Sequence, residues 1–238
     1  MYSAGNAPAM RSALIGVCCG NDPPRMRALV RAATRITHTV PKAELGALAV
    51  ALAAHLASSR ADDVRPDEYH RALAQLLSGE GTEFLALIRS VTDSVARGEE
   101  AAAFADGNGC ENGVSGYIYH TVPAALHVWL SHQHDYREAI VSMIRLGGDT
   151  DTAAAIVGAI AGARVGKDGI PRSWLDDLWE WPRTTVWMEA LAARLADRVD
   201  HNAPAGPLPL NLPGLLARNL AFMLIVLAHG FRRLLPPY

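Results

Sequence analysis

Leu146-Gly147-Gly148-Asp149-Thr150-Asp151-Thr152 runs straight into Ala153-Ala154-Ala155-Ile156-Val157-Gly158-Ala159-Ile160-Ala161-Gly162-Ala163, and this stretch decides how the chain is read. Two glycines let the backbone turn without a Cβ penalty, and the small-residue run that follows reads as a helix able to lie close to its neighbours. Where that helix begins, Asp149, Asp151 and the Thr152 hydroxyl bring carboxylate and neutral oxygen donors together, the donor chemistry of a Mg²⁺-type site. Soft ligands are absent from the stretch, which argues against zinc or copper. The plainer reading is an N-cap, since Asp and Thr also accept from the unpaired N–H groups of a first helical turn.

Working outward, the pattern is helical nearly everywhere. Residues 24–36 place Met26, Leu29, Val30 and Ala33 on one face, and 42–58 are apolar almost throughout, as a core helix would be. Residues 66–77 and 82–97 continue the pattern, the latter with Phe84, Leu85, Ile88 and Val91 as a stripe. Two further helices are expected over 122–131, with Pro123 near the first turn, and over 136–146. Alternating β-branched runs of usable length do not occur, so the expected fold class is all-α, in one compact domain over 1–238. Two connections stand out. Thr37-His38-Thr39-Val40-Pro41 can aim His38 sideways, because Pro41 pushes the residue before it out of helical geometry. Residues 106–113 hold three glycines and cannot be regular helix, so their N–H groups could approach a ligand closely; a surface loop is the simpler reading.

Together with three further segments in the same order, the motif resembles the ADP-ribosylglycohydrolase family, whose members include dinitrogenase reductase-activating glycohydrolases. The string from Leu146 to Thr152 resembles that family's metal signature. Ser3-Ala4-Gly5-Asn6-Ala7-Pro8-Ala9-Met10-Arg11 resembles its Gly-Asn-Gly-x-x-Met-Arg loop, and Thr37-His38 its Thr-His element. Asn112-Gly113-Val114-Ser115-Gly116-Tyr117-Ile118, leading to Thr121-Val122-Pro123, resembles its substrate loop and following helix. The resemblance implies an all-α domain that binds ADP-ribose over two Mg²⁺ ions and hydrolyses the glycosidic bond to an acceptor, whether protein side chain or small molecule. It implies Asp149, Asp151 and Thr152 as metal ligands, with Gly147 and Gly148 of the turn before them among the substrate-binding residues. Ser3, Gly5 and Asn6 would then lie along phosphates and ribose, with His38 also near the nucleotide, and Ser115, Gly116 and Tyr117 on the adenosine side.

Members of that family usually begin with a Gly-Asp-x-x-Gly helix and a Ser-Asp-Asp-Thr segment, and neither precedes Ser3. The N-terminal part of the family domain is therefore expected to be absent from this sequence. Asp62-Asp63 echoes Ser-Asp-Asp, but it follows the Thr-His element and sits between Arg60 and Arg65 before Pro66, as a solvated helix connection would. Two close cations repel unless carboxylates on several sides neutralise them, so two Asp and one Thr would hold at most one Mg²⁺ well. No general base is evident either, which predicts weak or no hydrolysis by this polypeptide alone. Three accounts remain open: an enzyme completed by an N-terminal polypeptide, a non-catalytic ADP-ribose-binding or structural homologue, and a chain whose uncovered face self-associates.

The bulk properties narrow the class. With 238 residues, 50% hydrophobic content and net charge −2, the chain can bury a substantial core and has no basic excess pointing to nucleic acid. Cys18, Cys19 and Cys110 are an odd set without C-x-x-C spacing, expected as apolar filler in a reducing cytosol. Neither terminus carries a targeting signal, and the apolar run over 220–228 is short for a bilayer, so it is expected as a buried helix in a cytoplasmic protein without membrane contact. His132 and His134 are expected in a solvated turn, and Trp174, Trp179, Trp181 and Trp187 packed against the core.

Overall fold

The centre of the fold is a helix with no polar side chain from Leu45 to Ala54. A computed structural model describes residues 4–201 and 206–234. In it α3 (Pro41–Ser59) follows α1 (Ala7–Cys19) and α2 (Pro23–Arg35), and it is sheathed along nearly its whole length. Burying thirteen of its Ala, Leu, Val and Gly residues, with Leu48, Val50 and seven alanines among them, removes apolar surface from water on every side, which holds a helix that has no amphipathic face. Helix α1 crosses α3 at backbone contact distance: a Cβ built on Gly16 would stand 1.9 Å from the Ala51 carbonyl oxygen. Only glycine permits that approach.

Around this pair run α4 (Pro66–Leu77), α5 (Thr82–Ala96), α6 (Ala101–Gly107), α7 (Ile118–Ser131), α8 (Tyr136–Arg145) and α9 (Thr150–Val165). Among the described residues the chain is all-α, with two isolated β-bridges and no strand. Tyr69 of α4 donates to the Ala49 carbonyl at 2.9 Å and sets its ring edge-on to Trp129 of α7, 5.7 Å between centroids. A buried polar cluster ties α5 to α7: the Ser94 hydroxyl lies 2.7 Å from a Glu99 carboxylate oxygen and 2.9 Å from His127 Nε2, and Phe104 stacks on the imidazole. Burial pushes His127 down to about 4, against the opposing pull of Glu99.

Helix α7 starts four residues earlier than the pattern suggests, at Ile118, which places Pro123 inside it. A proline there cannot bond the carbonyl four residues back, that of Tyr119. The Asn108 side chain donates to this carbonyl at 3.4 Å, so the break is repaired from the glycine-rich loop. Helix α1 is likewise longer than expected: the segment read as a loop through Arg11 ends at Asn6, where Pro8 sits in the first turn of the helix.

The chain divides into two compact units, Met1–Pro171 and Arg172–Tyr238. The second holds α10 (Arg172–Asp176), α11 (Thr185–His201) and α12 (Leu212–Arg232). Two expectations are corrected in it. Trp179 is 94% exposed and Trp181 is also exposed, while Trp174 and Trp187 are half-buried, so the tryptophans do not form a packed layer. The apolar run over 220–228 is not a buried helix. It is the middle of α12, which Asn211 caps by accepting from the Gly214 N–H and which lies exposed along nearly all of its length. Apolar composition alone does not distinguish a helix in a core from one outside it.

Candidate functional site

Three segments distant in sequence are sewn together by backbone hydrogen bonds. Residues 114–118 run between the turn ahead of α1 and the turn ahead of α9. On one side Asn6 N–H donates to Gly116 O at 3.0 Å and Ile118 N–H to Ala4 O at 2.9 Å; on the other Val114 N–H donates to Gly147 O at 3.1 Å and Asp149 N–H to Val114 O at 2.7 Å. These are the bridges Gly5 to Tyr117, antiparallel, and Val114 to Gly148, parallel. The second pairing needs glycine on both strands. Gly113 and Gly148 have φ of +99° and +79°, and a Cβ on either would fall within 2.4 Å of the other segment's backbone.

The seam delivers two helix N-termini to one place, and their cap residues face each other. Asn6 stands at the N-cap of α1, where its side chain makes no bond to its own helix, and Asp149 stands at the N-cap of α9. Instead Asn6 Nδ2 donates to Asp149 Oδ2 at 2.7 Å and to Thr121 Oγ1 at 3.0 Å. Partial burial works against the Asp149 charge, but hydrogen bonding from Asn6 and from the nearby Thr152 outweighs it and holds the carboxyl below the usual carboxylate range. Asp151 is exposed and accepts from the Thr152 N–H at 2.9 Å. Gly116 lies against the same carboxylate: a Cβ there would be 3.1 Å from Asp149 Oδ2.

Gly5, Asn6, Ser115, Gly116, Tyr117, Gly147, Gly148, Asp149, Asp151 and Thr152 thus belong to one seam and the acidic turn beside it. His38 is buried and held through Thr37, whose hydroxyl lies 2.9 Å from His38 Nδ1 and accepts from Arg11 of α1 at 2.8 Å. Burial, reinforced by the Arg11 charge, lowers the His38 pKa. Ser3 lies outside the described residues.

Three contributors escape a sequence reading. Thr121 locks the seam, donating to Ser115 O at 2.8 Å while accepting from Asn6. His120 shares a 2.9 Å hydrogen bond with the Ser115 hydroxyl. Lys42 ion-pairs with Glu83, donates to the Tyr117 hydroxyl at 3.3 Å and lies over the Tyr119 ring, so a cation fixes the aromatic wall at the end of the loop. The adjacency of His120 and Thr121 to the Ser115–Tyr117 loop was the available signal; Lys42 gave none.

Asp149, Asp151 and Thr152 suit one flank of a hard cation. Among the described residues no group of three or more His, Cys, Asp or Glu side chains converges to complete such a cage. Asp62 and Asp63 do not extend it. Their loop is clamped by Arg164, which donates to the Ala61 and Asp62 carbonyls and pairs with Asp63, and Asp63 also engages His134. Arg164 lies fifteen residues along α9 from Asp149, a helical rise of about 22 Å.

Comparison with known proteins decides the family. The ADP-ribosylglycohydrolase family profile matches residues 2–205. The chain belongs to the ADP-ribosylglycohydrolase family. It is 28% identical over 199 residues to ADP-ribosylhydrolase ARH3 of Gallus gallus, covering 72% of this chain and 52% of that protein. It is 26% identical over 176 residues to the ADP-ribosyl-[dinitrogen reductase] glycohydrolase of Rhodospirillum rubrum, covering 74% and 51%. Over 78 residues it is 40% identical to ADP-ribosylarginine hydrolase Tri1 of Serratia proteamaculans, covering 32% and 21%. This ADP-ribosylglycohydrolase-family chain therefore spans about half the length of the curated relatives it matches.

Proposed function

We propose that the chain carries the ADP-ribose-binding and one-sided metal-binding part of an ADP-ribosylglycohydrolase, and that hydrolysis of the bond between ADP-ribose and its acceptor needs acidic ligands from outside residues 1–238. The observation that supports this most is the 2.7 Å bond from Asn6 to Asp149 across the seam. It holds the acidic turn against Gly116 and Tyr117, where backbone amides and an aromatic wall meet a carboxylate pair. The positive ends of α1 and α9 also face this region and favour phosphate oxygens.

Asp149, Asp151 and the Thr152 hydroxyl would hold a Mg²⁺. Bound there, the ion would neutralise diphosphate charge and polarise a water or a sugar oxygen. Asn6 keeps Asp149 ionised and aimed, Thr121 keeps Asn6 aimed, and Gly116 leaves the space beside the carboxylate open. The relatives' names point to acceptors of different kinds, among them arginine and dinitrogen reductase, and the seam itself does not select one.

A second reading, a binding protein without turnover, is favoured by the lack of a third convergent acidic ligand among the described residues. Titrating ADP-ribose calorimetrically with and without Mg²⁺, into wild type and Asp149→Ala/Asp151→Ala, tests the binding half; Mg²⁺-dependent binding lost in the double variant is expected, and binding indifferent to both overturns it. Release of ADP-ribose from an ADP-ribosylated protein then separates the two readings. Turnover by residues 1–238 alone would show that no outside ligand is needed.

A further inference from the structure

Helix α12 carries 21 residues, long and apolar enough by length and composition to cross a membrane, and its apolar window is 6% buried. Two ordinary explanations for such a helix fail here: it is not a core helix, since it is exposed, and it is not an N-terminal signal, since it begins at Leu212. It also lies beyond the part of the chain that the family profile matches, which ends at 205.

The distribution of residues around the helix is informative. Leu216, Leu220, Met223, Leu224, Leu227 and Phe231 recur at i, i+4, i+7, i+8, i+11 and i+15, one continuous face at 3.6 residues per turn. All six are exposed, from 48% for Leu227 to 69% for Leu216. Arg218, His229, Arg232 and Arg233 fall on the opposite side. No Asp or Glu occurs after Asp200, so every ionisable side chain of α12 is a potential cation. Between the basic positions, Phe222, Ile225 and Val226 are exposed as well, which widens the apolar surface of the middle turns and leaves the cations toward the two ends of the helix. A second copy of α12 would bring the same cations and no carboxylate to meet them, whereas anionic headgroups complement the basic side and acyl chains the apolar one.

We propose that α12 lies in the interface of a lipid bilayer bearing anionic headgroups, with the Leu216–Phe231 face in the acyl region and Arg232 and Arg233 among the headgroups. Arg218 meets Glu180 at 2.7 Å and lies over Phe222, which ties the first turns of the helix to its own unit while the remainder is available to lipid.

Flotation of the purified full chain with vesicles tests this. With phosphatidylcholine containing about a third phosphatidylglycerol, the protein is expected to float with the lipid; with phosphatidylcholine alone, flotation should fall several-fold, because each basic residue near an anionic surface adds about 1 kcal/mol. Leu224→Ser/Leu227→Ser should abolish flotation, and Arg232→Gln/Arg233→Gln should remove only the preference for anionic lipid. Circular dichroism and thermal melting should match wild type in both, because the altered side chains are exposed. Wild type remaining at the bottom of the gradient with either lipid overturns the proposal. So does a lipid-independent dimer in light scattering that the Leu224→Ser/Leu227→Ser variant dissociates, since α12 would then be covered by a second copy.

Discussion

Helices α3 and α12 are nearly equal in length, at 19 and 21 residues, yet α3 is buried along most of Ala43 to Ala57 and α12 is exposed along nearly all of its length. The difference lies in what each is offered as neighbours. Around α3, glycine and alanine let α1, α7 and α9 approach closely, and its own alanines carry little bulk to hold them off. Helix α12 carries Leu, Phe, Met, Ile and Val through its middle turns, and these side chains are exposed. Small side chains build helix-on-helix contact; large ones without a partner wait for another medium.

The contrast can be broken most severely at its tightest point. Gly16→Ala should destabilise the protein by about 3 kcal/mol or more, seen as a fall in denaturation midpoint, because the added methyl meets the Ala51 carbonyl at 1.9 Å and only a shift of α1 relieves it. Truncation gives the next-largest effect. Leu48→Ala in α3 should cost about 2–5 kcal/mol in urea unfolding, whereas Leu224→Ala in α12 should stay within about 0.5 kcal/mol in detergent-free solution. Equal losses at both sites would mean that α12 is covered after all.

Acid should expose the packed side of the contrast. His127 is 1% exposed with its pKa pushed by burial from 6.5 to about 4, so between those values the unfolded chain binds a proton that the native state does not. Stability should therefore fall as pH drops from 6.5 toward 4 and level off for this group below it; urea titrations at several pH values should show His127→Gln with a shallower decline than wild type. The smallest effect has the opposite sign. Gly230→Ala adds its methyl to empty space within α12 and should stabilise by about 0.5–1 kcal/mol, so the substitution that disrupts α1 improves α12.

Much of the helical order was legible because periodicity and breakers agree, as at Pro66–Leu77, where the expected and observed bounds coincide. Pro41, Pro66 and the Gly147-Gly148 turn fall where helices start. Bounds were lost where a distant residue repairs a local fault: Pro123 looks like a first-turn proline until Asn108 is seen to bond the carbonyl it strands. The acidic turn was legible from its composition. Its tie to Asn6 was not, because an Asn and an Asp at two N-cap positions ordinarily serve their own helices, and only the fold turns them toward each other. The burial of the 220–228 run was misread for the converse reason, since hydropathy records what a helix avoids and not what it touches.

The seam at 114–118 has a consequence for how this sequence can drift over generations. Its pairing runs on both edges at once, so adding or deleting one residue between Gly113 and Ile118 would shift Asn6 against Gly116 and Asp149 against Val114 together. A few residues upstream, Gly107 and Gly109 have open space around them, and a length change there leaves the seam in register while displacing only the Asn108 bond to the Tyr119 carbonyl. Among descendants of this chain, insertions and deletions should therefore collect before Cys110 and stop short of Gly113, a boundary drawn by backbone register alone.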